Sequence, residues 1–328
     1  MKKKLTLLFL LTLSLLSLSN TILTIYLPSN YYNWIRTLPA VVQFQKENAL
    51  TIHFVSFDGT NKMLTRLELE KNNPKADIVM GLSQMNTIIA NQSNLLYGYT
   101  PQNISLISNS MKHYILSNAI PFDYGNLAIL YDPSVVKNPP KTFMALAKSN
   151  YPLIICDPRT SSTGQDFLLW TIAALGPNWQ TFWKLSKNSI SFIAPSWDSA
   201  FSQFEAGESP MMVSYASDEA YSYYSYNSSR YKVLSLSDGS YLEVEFNAII
   251  NKQNVSPYSR KFIELMLTPS VQSTIALNNW MLPTTNVALP EIFNKYYPVS
   301  TKQLSIPNIE LLKNLNLWLE QWQSIVLR

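Results

Sequence analysis

The chain contains few of the residues that supply disulfides or metal sites. Cys156 is the only cysteine among 328 residues, so no disulfide can form within the chain. His53 and His113 are the only histidines, and no Cys-x-x-Cys or His-x-x-x-His spacing occurs, which argues against zinc. His53 lies in an apolar run, where we expect a core residue. The fold must therefore be stabilised by a large apolar core, which usually means two domains at this length.

Glycine and net charge are also low. Eight glycines are too few for long flexible linkers, and the sequence contains no internal repeat or charge run. Three of the four net positive charges come from Lys2, Lys3 and Lys4, so the rest of the chain is almost neutral and has no basic patch for nucleic acid. The glycine patterns of a nucleophile elbow and of a P-loop are missing as well.

The N-terminus has the pattern of a secretory signal. Three lysines precede an apolar run over residues 5–18, and small residues follow at Ser17 and Ser19. The run is shorter than the roughly 20 residues of a membrane-spanning helix. No cysteine follows it, so a lipid anchor is not expected. We predict a signal peptide over residues 1–19, cleaved after Ser19.

Short β-branched runs alternate with helical stretches, which indicates an α/β fold. The sequence predicts strands over residues 22–27, 51–57, 76–80, 126–131, 153–156, 210–214 and 241–250. It predicts helices over residues 60–70, 142–147, 166–175, 179–187, 197–204, 259–267, 270–277 and 308–326. The segments 122–131 and 241–250 are long enough to cross between two lobes. We predict lobe one over residues 20–125 with 247–328, and lobe two over 126–246.

Aromatic side chains are abundant, with eight tryptophans and nineteen tyrosines. Trp197 and Trp280 are predicted on loops, and Tyr215 follows a predicted strand at the end where α/β folds bind ligands. A flat organic cation gains about 0.5–2 kcal/mol over such a ring. The alternative, for a tryptophan at the start of a helix, is core packing alone.

Hydroxyls cluster before the predicted helix that begins near residue 165. Ser161, Ser162 and Thr163 precede Gly164 there. Backbone N–H groups at a helix start attract phosphate or carboxylate, and the hydroxyls would add donors. Simple N-capping by one serine is the alternative, although the cluster exceeds what one cap requires.

Several segments combine aromatic faces, hydroxyls or a carboxylate. They are Asp58-Gly59, PFDYG at 121–125, DPRTS at 157–161, Ser196-Trp197, SYASDEAY at 214–221 and NWM-x-P at 279–283. Together these segments resemble the periplasmic thiamine-binding proteins of bacterial ABC importers. The resemblance implies a two-lobed, type II periplasmic binding protein with two crossover hinge strands. It also implies a monomer that captures thiamine or its phosphate esters in the cleft and delivers them to a membrane permease and its ATPase. No catalysis, cofactor, metal or nucleic acid is implied.

The resemblance also assigns the ligand-binding residues. These are Asp58, Gly59, Ser161, Ser162, Trp197, Tyr215, Ala216, Ser217, Asp218, Tyr221 and Trp280. Asp123, with Asp58 and Asp218, is a carboxylate that could neutralise the cation or bind the aminopyrimidine edge.

The chain departs from the family pattern at several positions. Pro28 stands where family members have a second tyrosine, so one stacking wall is missing or comes from Tyr31. Ser83 replaces a carboxylate, while Ala216 and Asp218 stand where threonine and serine are usual. These changes could preserve the ligand or favour a different phosphorylation state of it.

Two other functions stay open at this point. Tyr223 and Tyr224 could bind ferric ion, as neighbouring tyrosinates do in related iron-binding proteins, or the cleft could hold another organic cation. Thiaminases of the first type resemble these proteins and attack thiamine with a cysteine. Here Cys156 ends a predicted strand beside Asp157, which should raise the pKa of the thiol and disfavour a nucleophile.

Overall fold

The computed structural model describes residues 21–234, 236–298 and 302–328. The predicted signal peptide, residues 1–19, lies outside the described residues. Within the described ranges, no helix combines the length and the apolar character needed to cross a membrane.

Twelve strands are present in the described part of the chain: β1 (Thr21–Pro28), β2 (Leu50–Phe57), β3 (Ile78–Ser83), β4 (Leu96–Tyr97), β5 (Ile120–Tyr131), β6 (Leu153–Cys156), β7 (Ile190–Ala194), β8 (Met211–Tyr215), β9 (Lys232–Val233), β10 (Ser240–Ile250), β11 (Leu282–Pro283) and β12 (Gln303–Leu304).

The α-helices of the described residues are α1 (Ser29–Ile35), α2 (Pro39–Glu47), α3 (Thr60–Leu69), α4 (Gln84–Gln92), α5 (Phe143–Lys148), α6 (Ser162–Leu175), α7 (Trp179–Ser186), α8 (Trp197–Glu205), α9 (Asp218–Tyr226), α10 (Pro257–Met266), α11 (Pro269–Asn278), α12 (Glu291–Tyr296) and α13 (Asn308–Val326).

The strands form one mixed sheet in the order β2-β1-β3-β10-β5-β8-β6-β7. On one side β1 runs parallel to both β2 and β3. On the other side β6 runs parallel to β7 and β8. The two antiparallel strands β5 and β10 lie between these parallel groups. Parallel strands joined through helices produce this arrangement, as the alternating sequence pattern predicted.

The long strands β5 and β10 connect the two halves of the sheet. The first half of β5, through Asn126, pairs with β10, and its second half, from Leu127, pairs with β8. At its far end β10 pairs with β3 through Ala248 and Ile249. These strands cover the segments predicted as crossovers. The two halves of the molecule meet along the line that β5 and β10 form.

Two large apolar clusters form the core, one on each side of this line. The first includes Leu23, Ile78 and Phe262, and the second includes Phe167 and Trp183.

The C-terminal helix α13 packs on the second cluster, although the sequence placed residues 247–328 in lobe one. Trp322 meets Trp183 edge to face, with ring centroids 5.9 Å apart. Leu311, Leu315 and Trp318 complete an apolar stripe at helical spacing that fits this surface. The rest of the predicted division into 20–125 with 247–328 and 126–246 stays a prediction.

His53 is exposed, so its prediction as a core residue was wrong. It lies on β2, whose side chains alternate between buried Leu50 and Ile52 and outward-facing Thr51 and His53. Successive side chains of a strand point to opposite faces, and the exposed Thr51 and His53 show that one face of β2 is open to solvent.

Candidate ligand-binding site

A cavity of about 300 Å³ lies between the two halves of the molecule. Five α-helices begin at its wall, and each follows a strand or a short turn. The residues at these helix starts that line the cavity are Ser29 and Asn30 of α1, Gly59 and Thr60 of α3, Ser161 and Ser162 of α6, Ser196 and Trp197 of α8, and Ser217 and Asp218 of α9. Free backbone N–H groups and side-chain hydroxyls therefore concentrate around one space.

Gly59, at the start of α3, touches the opposite wall. It has a φ of 100°, and a Cβ at this position would lie 3.1 Å from the carbonyl oxygen of Thr160. Any other residue would be strained by the backbone and crowded by the neighbouring loop. Glycine at this position lets the start of α3 approach the loop before α6.

The start of α6 is packed against the end of β6. The hydroxyl of Ser161 accepts a hydrogen bond from the N–H of Gly164. A Cβ on Gly164 would lie 2.5 Å from the carbonyl oxygen of Cys156, so only glycine allows the helix to begin this close to the strand. Ser161, Ser162 and Thr163 consequently face the cavity together.

Trp197 forms one aromatic wall. Its ring stacks on Phe201 one turn later, with centroids 4.8 Å apart and planes 18° from parallel. Its indole N–H donates a hydrogen bond of 2.8 Å to the hydroxyl of Ser214. Because ring and N–H are both fixed, the half-buried indole is held in place before any ligand arrives.

Trp280 forms the opposite aromatic wall. Tyr221 meets it edge to face, with centroids 5.1 Å apart. The backbone of Trp280 has a φ of 55°, in the left-handed region that suits glycine after a helix end. A tryptophan there costs stability, so its presence fits a role for the side chain in the cavity.

The end of β8 and the start of α9 contribute Tyr215, Ser217 and Asp218. The Tyr215 hydroxyl hydrogen-bonds Glu243 and lies 3.0 Å from the Thr163 hydroxyl. Asp218 accepts hydrogen bonds from the Ser214 hydroxyl and the Tyr215 N–H, while burial raises the pKa of Asp218 to about 6. The hydroxyl of Ser217 is buried and has no partner among the described residues.

The charged side chains that line the cavity are all acidic. They are Asp198, Asp218 and Glu245, and no described lysine or arginine lines the same space. Asp198 lies at the mouth, where it accepts a hydrogen bond of 2.8 Å from Ser29 of the other half. A lining that contains acidic side chains and no lysine or arginine favours a ligand with positive charge.

Glu245 belongs to a buried acidic group in the cavity floor. The Tyr31 hydroxyl lies 2.8 Å from Glu245 Oε2 and 2.7 Å from Asp123 Oδ2. Burial raises the pKa of Asp123 to about 6, and burial beside Asp123 raises the pKa of Glu245 well above its ordinary range. Tyr31 is fully buried and does not line the cavity, so it does not replace the wall lost at Pro28.

Nine of the predicted ligand-binding residues line the cavity: Gly59, Ser161, Ser162, Trp197, Tyr215, Ser217, Asp218, Tyr221 and Trp280. Asp58 and Ala216 are not brought there. Asp58 is exposed and pairs with Lys62 one turn later, at 2.7 Å, which lowers its pKa. Ala216 is buried behind the lining.

The sequence reasoning missed several lining residues, above all Glu245, Phe201 and Asn279. Phe201 follows Trp197 by four residues on a helix, which is a recognisable signal. Glu243 and Glu245 alternate with apolar residues in a strand that had to be central, and buried carboxylates in such a strand indicate function. Asn279 lies in the NWM-x-P segment itself, and its amide donates to Asp123 over 2.8 Å.

Cys156 does not line the cavity. It is buried at the end of β6, and burial raises the pKa of its thiol to about 12. The predicted direction of this pKa shift is confirmed. At neutral pH the thiol carries its proton and is a weak nucleophile.

Comparisons with known proteins show what the chain is similar to. Residues 40–297 match the family model described as bacterial extracellular solute-binding protein. The chain is 32% identical to the thiamine-binding periplasmic protein of Brucella suis biovar 1, covering 93% of this chain and 92% of that protein. It is 31% identical to the thiamine-binding periplasmic protein of Escherichia coli K12, covering 87% of each.

A solved structure of a periplasmic thiamin binding protein superposes with a TM-score of 0.86 at 27% identity, covering 95% of this chain and 98% of that one. The predicted α/β fold, a two-lobed type II periplasmic binding protein with two crossover strands, is confirmed by this likeness and by β5 and β10.

Proposed function

The chain belongs to the bacterial extracellular solute-binding proteins, and on that premise we propose that it captures thiamine or a phosphate ester of thiamine in the cavity between its lobes. The similarity extends over 93% of the chain, so the family resemblance predicted from the sequence is confirmed. Delivery to a membrane permease with its ATPase follows from the same membership. The protein performs this role in the periplasm, the location named for its relatives.

The observation that carries the proposal is the combination of aromatic walls with an all-acidic lining. Trp197 and Trp280 provide flat faces, and Asp198, Asp218 and Glu245 provide carboxyl groups that can pair with a cation. Thiamine joins a thiazolium cation to a flat aminopyrimidine. The cation gains about 0.5–2 kcal/mol over an aromatic face, and an aromatic ring gains about 0.5–1.5 kcal/mol by offset stacking.

The helix starts support phosphate esters of the same ligand. Ser161 and Ser162 open α6 beside the starts of α8 and α9, where backbone N–H groups carry partial positive charge. A phosphate at the α6 start could accept hydrogen bonds from N–H groups and hydroxyls. The cavity thus has separate features for a cationic ring and an anionic tail.

Closure of the two lobes around the ligand would carry the signal to the permease. Ser29 and Asp198 meet across the mouth, and Trp280 meets Tyr221 from the other half. A ligand that contacts both walls binds the closed form more tightly and shifts the population towards it. We propose that the permease recognises this closed form of a monomer.

We propose a binding protein and not an enzyme of the thiaminase type. The buried Cys156, with its pKa raised to about 12 and its place outside the lining, supports this choice. An iron site at Tyr223 and Tyr224 has less support. Tyr223 stacks on Tyr296 with centroids 3.6 Å apart, while Tyr224 packs against Trp280.

Native mass spectrometry of the protein without residues 1–19 tests the proposal. Thiamine, thiamine monophosphate and thiamine diphosphate are added separately, and the bound mass ranks them. We expect an adduct of unit stoichiometry with thiamine. A folded protein that retains none of the three would contradict the proposed function.

A further inference from the structure

Two acids face each other at the centre of the sheet. Glu245 of β10 lies opposite Asp123 of β5 in the antiparallel register, and both are buried. Like charges directly opposite each other destabilise a sheet, and buried charges without a counter-ion destabilise it further. Folding alone does not require two acids here, so the pair calls for another explanation.

The hydrogen bonds show that the pair holds a proton. The Tyr31 hydroxyl has one proton but lies 2.7 Å from Asp123 Oδ2 and 2.8 Å from Glu245 Oε2. It can donate fully to only one of them, so the second short contact needs a proton from a carboxyl. Asp123 Oδ2 also accepts from the Asn279 amide at 2.8 Å, which marks Asp123 as the ionised partner and Glu245 as the protonated one.

The surroundings of Glu245 supply no positive charge. The titratable groups that face it are Tyr31 from α1, Asp123 from β5, Tyr215 from β8 and Glu243 on its own strand. The residue opposite it on β3 is Ser83, the position where the family resemblance expected a carboxylate. Among the described residues, no lysine or arginine contributes to the pKa shift of Glu245.

Of the two acids, Glu245 lines the cavity and Asp123 does not. A cationic ligand in that cavity would be the counter-charge that the protein itself does not provide. We propose that Glu245 is the residue that selects for positive charge in the ligand, and that ligand binding displaces the proton that Glu245 shares with Asp123. The proton passes to solvent, and the carboxylate left behind pairs with the bound cation.

This inference rests on the proposed function, and it makes affinity depend on pH. Protons compete with the ligand for Glu245, so binding weakens as pH falls. Below the pH at which Glu245 of the empty protein ionises, the dissociation constant should rise by about tenfold per pH unit. If ligand binding did not displace a proton from Glu245, this residue would not make the affinity depend on pH.

Titration calorimetry of the wild-type protein with thiamine measures the proton directly. Thiamine is the probe because phosphate esters themselves titrate near pH 6. Heats recorded above about pH 6, the pKa of Asp218, in two buffers with different ionisation enthalpies should show release of up to about one proton per ligand wherever Glu245 of the empty protein is protonated. The dissociation constant for thiamine should fall as the pH rises over the same range.

Glu245→Gln provides the variant, and Glu208→Gln, an exposed acid in the turn between α8 and β8, provides the matched control. Glu245→Gln should bind thiamine at least about tenfold more weakly near pH 8. Above about pH 6, the pKa of the other buried lining acid Asp218, it should release no proton and show a flat pH profile. Glu208→Gln should behave as wild type. Circular dichroism verifies folding, and if Glu245→Gln does not fold, the wild-type proton count and pH profile decide.

The outcomes separate the two ideas. Tight thiamine binding by the wild type with no proton release and no pH dependence would overturn the role of Glu245 and leave the proposed function intact. Failure of the wild type to bind thiamine or either phosphate ester at any pH would overturn both. Tight binding with proton release that persists in Glu245→Gln would assign the proton to another group and contradict the inference.

Discussion

Trp280 and Phe293 lie face to face, with ring centroids 5.7 Å apart and planes 11° from parallel. Phe293 in turn stacks on Tyr297, whose hydroxyl accepts a hydrogen bond of 3.0 Å from the N–H of Asn126 on β5. A continuous row of rings therefore links the cavity wall to the strand that joins the two halves of the molecule. The position of the Trp280 wall depends on this support as well as on its own contacts.

Phe293→Leu should weaken thiamine binding because it removes the stacked support behind Trp280. We expect a loss of about 0.5–1.5 kcal/mol, the value of one aromatic pair. Phe192→Leu, at an exposed aromatic on β7, is the control and should leave affinity unchanged. Fluorescence titration with thiamine measures both. Equal affinities for Phe293→Leu and the wild type would show that Trp280 holds its position without Phe293.

Trp197→Ala should weaken thiamine binding by more than about 1 kcal/mol, because it removes a stacking face from the cavity. The wall is fixed by Phe201 and by the bond to Ser214, so a ligand meets it without an ordering cost. Titration calorimetry gives the difference, and Phe192→Ala serves as the control. Wild-type affinity in Trp197→Ala would remove Trp197 from the site.

The double variant Ser161→Ala with Ser162→Ala should weaken binding of thiamine phosphates more than binding of thiamine. The two hydroxyls lie at the start of α6, where a phosphate would be bound. Thr142→Ala removes a comparable N-cap from α5 and should lower stability by about 1 kcal/mol without changing the ligand ranking. Equal losses for all three ligands would make the Ser161 loop purely structural.

Much of the fold could be predicted because local pattern and tertiary structure agree. The apolar positions of Trp197, Ala200, Phe201 and Phe204 predicted a helix, and α8 covers Trp197–Glu205. By contrast α1, with Tyr31 and Trp34, was missed. Its seven residues are too short for a clear period, and buried contacts of the aromatic rings hold it.

The site residues that lie in family segments could be predicted from the sequence. Those that reach the cavity through pairing between distant strands could not. Trp197, Tyr215 and Trp280 lie in recognisable segments. Glu245 reaches the cavity because β10 pairs with β5 and β3, which no local pattern shows. Asp58 shows the reverse case: its segment matched, but the nearby Lys62 holds its carboxylate at the surface.

The stability of the ligand-free protein should fall as pH rises. Burial raises the pKa of Asp218 from 3.8 to about 6, so the folded state binds this proton more tightly than the unfolded state. Stability from this group is therefore greatest below about pH 4 and is lost as pH rises towards about 6, by on the order of 2–3 kcal/mol. Asp123 should act in the same direction.

Urea unfolding at several pH values between about 4 and about 7 measures this dependence. Asp218→Asn, which keeps the size and an acceptor oxygen, should reduce the fall, while Glu208→Gln should not. A wild-type protein whose unfolding free energy rises over the same range would show that other groups dominate its titration.

Cys156→Ser should bind thiamine as the wild type does, and neither protein should alter the ligand. The thiol lies at the end of β6 outside the cavity lining, and burial keeps it protonated. A catalytic cysteine would instead need a lowered pKa and access to the ligand. Long incubation followed by mass spectrometry should return intact thiamine from both proteins. Loss of thiamine with the wild type, abolished in Cys156→Ser, would identify an enzyme and contradict the proposed function.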